Sequence, residues 1–214
     1  MKAFDRDGDD AVAFLDTEER LVIARIVADV GMLLGNEDFG ELHPVEDTDE
    51  DALFRHLAGL EKSLATPDDP AVLRLLPPAS KDTEIAQEFR NLTEHGLRED
   101  KTQRLREVWT ALSQEQEEWR VPLEHATATA AALTDVRLVL ATRLGLETDE
   151  DAERLHTEIA LAGHAVDTDA AEDLGVDPQR AWLGMVYQAL TWLQDSLVTA
   201  AMGEPVVYEE GSAG

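Results

Sequence analysis

Hydrophobic positions alternate briefly at the start of the chain and then recur at helical spacing for most of its length. Lys2–Phe4 and Ala11–Leu15 carry β-forming residues on either side of an Asp-Gly turn signal, which predicts a hairpin over residues 1–15. Two strands alone are marginal in water, so the hairpin has to pack on other elements. From Asp16 the period changes. Asp16 and Glu19 have capping-box spacing, and the following Thr17–Leu34 is apolar nearly all the way round. Such a helix is buried on most sides, in a core or an interface.

Residues 35–51 read as an acidic loop, and Thr48 or Asp49 can cap a helix running through Lys62. Pro67 and Pro70 mark a break, and a short apolar piece, Val72–Leu76, stops at Pro77-Pro78. Helical pattern then covers Asp82–Leu92 and Glu94–Leu112, as two segments capped at Thr93 or as one continuous helix. Ser113 with Gln116 can cap a further start, and Pro122 suits the first turn of a helix Val121–Leu144 that Gly145 ends. Thr148 with Asp151 opens a helix to Ala162, and Asp177-Pro178 opens the last one, to Ala201. The tail from 203 to 214 reads as loose, with a short strand at Val206–Tyr208. The expected fold class is mainly α: one domain over 1–214, a helical bundle (16–202) with a small N-terminal β-hairpin (1–15).

Polar residues on the apolar stripes are the first candidates for a site. Arg137 lies beside Leu133 and Leu140, Lys101 sits in the stripe of Leu97, Leu105, Val108 and Leu112, and Gln194 flanks Leu190, Leu193 and Leu197. With Glu94 these residues form either a polar pocket at the bundle centre, able to hold a small ligand or anion, or a structural network that fixes helix register. Trp192 falls on nearly the opposite side of its helix from the leucines, which marks a second surface to cover and a candidate interface, including one with a second copy.

Charge narrows the partners. Asp and Glu number 46 against 18 Lys and Arg, a net charge of −28. A field of that size repels phosphate backbones and anionic lipid and favours a basic protein partner. The one locally basic stretch is 90–106, where Arg90, Arg98, Lys101, Arg104 and Arg106 outnumber Glu94, Glu99 and Asp100. Direct DNA contact would have to use its arginines. No apolar run approaches the roughly 20 residues of a membrane span, and residues 1–10 lack the apolar core of an export signal, so a cytoplasmic location is expected.

The motifs of enzyme chemistry are missing. There is no cysteine, which removes thiol nucleophiles, thiolate metal sites and disulfides. The six histidines have no metal-ligand spacing, and phosphate loops and nucleophile elbows are absent. Asp5, Asp7, Asp9 and Asp16 match positions one, three, five and twelve of a calcium loop, but the sixth position is Asp10 instead of Gly. A polar hairpin turn accounts for the same residues. No catalytic residue, metal or cofactor is expected.

Four segments read together as a family pattern: DPAVLRLLP (69–77), EFRNLTEHGLREDK (88–101), ALTDVRLVLATRLGL (132–146) and YQALTWLQDSL (187–197). In these the chain resembles the actinobacterial AosR-like family, named for oxidative-stress transcriptional regulation. The resemblance implies a cytoplasmic regulator working with the transcription machinery, through a sigma factor or an RNA polymerase component. The family's motif positions would be Arg74, Glu88, Arg90, Glu94, Lys101, Asp135, Arg137, Arg143, Trp192 and Gln194. Redox sensing through a cysteine pair, which the family's name evokes, is impossible in a chain without cysteine.

Overall fold

A computed structural model describes residues 1–36, 39, 68–114, 116–168 (backbone only for 163–168) and 177–203. The expected helix through Lys62, the tail and the strand at Val206–Tyr208 lie outside the described residues.

Among those residues the protein is helical with a three-stranded antiparallel sheet. Strands β1 (Lys2–Asp7) and β2 (Asp10–Phe14) form the expected hairpin, with Asp7 opposite Asp10. Gly8 takes the left-handed conformation (φ 65°) that this two-residue turn requires. A third strand, β3 (Glu118–Pro122), pairs with β2 and sets Trp119 opposite Ala13 and Val121 opposite Ala11. This corrects the expectation that Ser113 and Pro122 open helices. Ser113 instead ends the preceding helix, its hydroxyl donating to Trp109 O at 2.7 Å. Pro122 closes an edge strand, where a missing N–H costs no ladder bond. Trp119 and Val121 are buried while Glu118 and Arg120 are not, the period of a half-buried strand. Arg120 straps the sheet by pairing with Glu118 and Asp7, and those carboxylates raise its pKa.

Helix α1 (Thr17–Leu33) starts at the expected capping box, with Glu19 N donating to Asp16 and Asp16 N to Glu19. Helix α2 (Pro70–Leu75) is a short turn capped by Asp69. Helix α3 (Thr83–Leu112) is continuous: Thr93 caps nothing, because its hydroxyl donates back to Phe89 O inside the helix. A 3-10 turn (Leu123–His125) leads into α4 (Ala126–Arg143). Gly145 ends α4 in a Schellman motif, with Leu146 N donating to Ala141 O and Gly145 N to Thr142 O. Helix α5 (Asp149–Thr168) opens on the expected Thr148–Asp151 box. Amides of Glu147 and Thr148 and the Thr148 hydroxyl bond the Asp151 carboxylate and lower its pKa. Helix α6 (Pro178–Met202) begins at the Asp177 cap.

The core runs from the sheet into the bundle. Phe4 packs edge-on against Trp119, and Phe4 N donates to Ser196 Oγ, so the hairpin sits on α6. The stripes expected on α3, α4 and α6 enter the same core through Leu105, Leu112, Leu133, Val136, Leu190, Leu193 and Leu197, all buried. Leu97, the first position of the α3 stripe, lies outside it and is exposed. Helices α1, α3 and α6 each pack on α4, which is therefore the central helix.

Candidate functional site

The residues proposed for a polar pocket fall into three separate clusters on different helix contacts. At the α3–α4 contact, Lys101 Nζ lies 2.5 Å from Asp135 Oδ1, with both side chains largely buried. At the α4–α6 contact, Arg137 Nη1 donates to Gln194 Oε1 at 2.7 Å, and Gln194 Nε2 donates to the Thr134 hydroxyl. The Arg137 guanidinium also lies 5.5 Å from the centre of the Tyr187 ring. At the α3–α1 contact, buried Glu94 takes Arg90 on one oxygen and Arg98 on the other. Asp135 and Arg137 stand two residues apart on α4 and so point to different neighbours, α3 and α6. Each cluster pins one pair of helices. Asp135 Oδ2, Arg137 Nε and Arg90 Nη1 are buried without a hydrogen-bond partner.

Most cations of the basic stretch 90–106 are paired or packed within the protein, while Arg104 bonds only its own helix at the surface. Arg90 is buried against Glu94, and Arg98 bridges Glu94 to Leu34 O at the end of α1. Arg104 donates to Asp100 O within its own helix. Arg106 lies over the Phe39 ring, which rests on Gly31 of α1. These cations are not presented as a row, which is what tracking a phosphate backbone would need. The four aspartates of the calcium-loop pattern are likewise spread apart. Asp5 and Asp7 lie in the extended strand β1, Asp9 in the turn, and Asp16 at the α1 cap. Among the described residues, no group of three His, Cys, Asp or Glu is placed to hold a metal ion. No helix among them is long and apolar enough to cross a membrane.

The surface is most distinctive between α1 and α6. Both pack on α4, and between them runs an open apolar groove of about 510 Å³. Its walls are Leu21, Val22, Ile26 and Leu33 from α1 and Trp182 from α6, with Val139 of α4 at the floor. Leu21 is 56% exposed and Trp182 46% exposed, large values for side chains of this type at a helix contact. Arg25, Asp29 and Arg143 form the rim. Both cations are already paired: Arg25 with Asp29 at 3.2 Å and Arg143 with Asp69 at 2.6 Å. The Arg143 hydrogen bond, helped by the Ala71 amide, holds the Asp69 carboxyl below its ordinary value. Trp192, the interface candidate, is 41% exposed. Spacings of three and seven residues place Trp182, Met185 and Trp192 on the outward side of α6, where Met185 and Trp192 are exposed beyond the groove lining.

The sequence pointed to Trp192 and to surplus apolar surface on the first and last helices, but not to the groove. Leu21 reads as an ordinary member of an apolar helix, and only the spacing of α1 and α6 across α4 leaves it and Trp182 uncovered. Arg74 and Arg143 fasten the region around α2: Arg143 holds the α2 cap Asp69, and Arg74 reaches Leu146 O beyond the end of α4. No curated protein and no solved structure matches the chain. A family model does match, over residues 1–201, and by it the chain belongs to the family described as Domain of unknown function (DUF2017).

Proposed function

We propose that the protein is a non-enzymatic cytoplasmic regulator that works by holding a protein partner, within an actinobacterial AosR-like branch of its family. The partner class is the transcription machinery, a sigma factor or an RNA polymerase component. The observation that carries the reading is the exposed apolar groove between α1 and α6, with Met185 and Trp192 exposed further along α6. An exposed apolar groove on a highly charged chain is where a macromolecular contact gains most from leaving water. The net charge of −28 supports a protein partner over nucleic acid, as does the internal engagement of the arginines of 90–106. Resemblance to the AosR-like family supports transcription as the setting. Affinity capture from an actinobacterial extract tests the reading: enrichment of polymerase subunits or a sigma factor is expected, and their absence at moderate salt would remove it.

A further inference from the structure

We propose that the α1–α6 groove is a docking site for a basic amphipathic helix of a protein partner. The inference rests on the reading of the protein as a protein-binding regulator and specifies what it binds. Leu21 and Leu33 are 12 residues apart on α1, so the apolar wall is about 18 Å long, the length of three to four helical turns. An amphipathic helix laid in such a groove inserts side chains at i, i+4 and i+7, here against Leu21, Ile26 and Trp182. The exposed halves of Leu21 and Trp182 are the area that such anchors would cover.

Charge selects the occupant. Arg25 pairs with Asp29 and Arg143 with Asp69, so the charges at the rim are locally balanced and the field of the whole chain decides. Glu18 is exposed one turn before Leu21 and Val22, and the chain as a whole carries a net charge of −28. Lysines or arginines flanking the apolar stripe of a docked helix would meet this field favourably. A second copy would bring another charge of −28, and a concave groove is not complementary to itself across a two-fold axis.

The test uses the full chain and three synthetic 14-residue peptides: a Leu/Lys amphipathic helix, its Leu→Ala twin of equal charge, and its Lys→Glu twin. Binding is read by fluorescence anisotropy near physiological salt. The Leu/Lys peptide is expected to bind at least tenfold more tightly than either twin. The double variant Leu21→Gln/Trp182→Gln is expected to lose about tenfold. Leu92→Gln, at a residue 77% exposed on α3 outside the groove, is expected to lose nothing. Because the chain has no cysteine, Arg25→Cys carrying an environment-sensitive dye gives a second reading: a blue shift with the Leu/Lys peptide, and none from a dye on Leu92→Cys. Equal binding of the Ala twin, or no effect of the groove variants, would mean charge condensation alone and overturn the proposal. Tight binding of the Glu twin would overturn its charge argument. A parent dimer that the groove variants dissociate would make a second copy the occupant instead. If the groove variant still captures the parent's partner from extract, the functional reading stands and the groove assignment falls.

Discussion

Replacing Lys101 with Met tests whether the buried polar pairs fix the bundle. Lys101 Nζ sits 2.5 Å from Asp135 Oδ1, and Asp135 Oδ2 has no hydrogen-bond partner. The Asp135 side chain is 4% exposed and that of Lys101 13%. Lys101→Met therefore leaves a carboxylate in the helix contact with no counterion. Removing one partner of a buried pair typically costs about 3–5 kcal/mol. The residual exposure of Lys101 lets water reach the site, which places this variant at the low end, about 3 kcal/mol. For a chain of this size each kcal/mol moves Tm by about 2–4 °C, so a fall of about 6–12 °C is expected. Adding Asp135→Leu removes the stranded charge, and the double variant should return to within about 1 kcal/mol of the parent. Urea titrations of the parent, both single variants and the double variant, followed by far-UV circular dichroism, close the cycle. A Lys101→Met cost below about 1 kcal/mol with no measurable coupling would reduce the pair to a solvated surface contact.

Three other perturbations follow from the geometry. Arg143→Met should cost under about 1 kcal/mol at neutral pH, because the Arg143–Asp69 pair is partly exposed. Its clearer signature is the pH dependence of that cost. With Arg143 present the Asp69 pKa lies below its ordinary 3.8, so this stabilisation is complete above that value and is lost as pH falls through the folded-state pKa. Thermal melts of parent and variant between neutral pH and pH ~2 should converge at the acid end, and a constant gap would contradict the assignment. Gly31→Ala would set a Cβ about 2.3 Å from the Phe39 ring, so overpacking of about 1–3 kcal/mol is expected, read by the same urea titration. Duplex DNA should give no mobility shift even at low salt, and a complex weakened by Arg104→Glu would show that the arginines of 90–106 are available after all.

The parts of the fold that were legible in the sequence are those with local chemistry. The Asp-Gly turn located the hairpin, Asp16 with Glu19 and Thr148 with Asp151 located helix starts, and Gly145 located a helix end. Strand β3 was not legible. It has five residues, only Trp119 and Val121 facing inward, and its partner β2 lies far away in the sequence, so no local pattern marks it. Pro122 added a misleading helix-start signal at the strand's end. The polar residues Lys101, Arg137, Gln194 and Glu94 were recognisable as inward-facing, because helical spacing sets them among leucines. Their division among three contacts depends on which helix packs on which face of α4, and periodicity within one helix carries no information about that. The groove is hidden for the same reason.

If the protein works by holding a partner on its apolar face, that partner must bind the purified chain directly. Equilibrium binding of the full chain to purified actinobacterial RNA polymerase core and to its sigma factors, at about 0.15 M salt, tests it most directly. A dissociation constant in the micromolar range or tighter, roughly −8 kcal/mol or better, is expected for at least one of them. Leu21→Gln/Trp182→Gln, folded as the parent is, is expected to weaken that complex about tenfold. No binding to any of these proteins at tens of micromolar would contradict that reading.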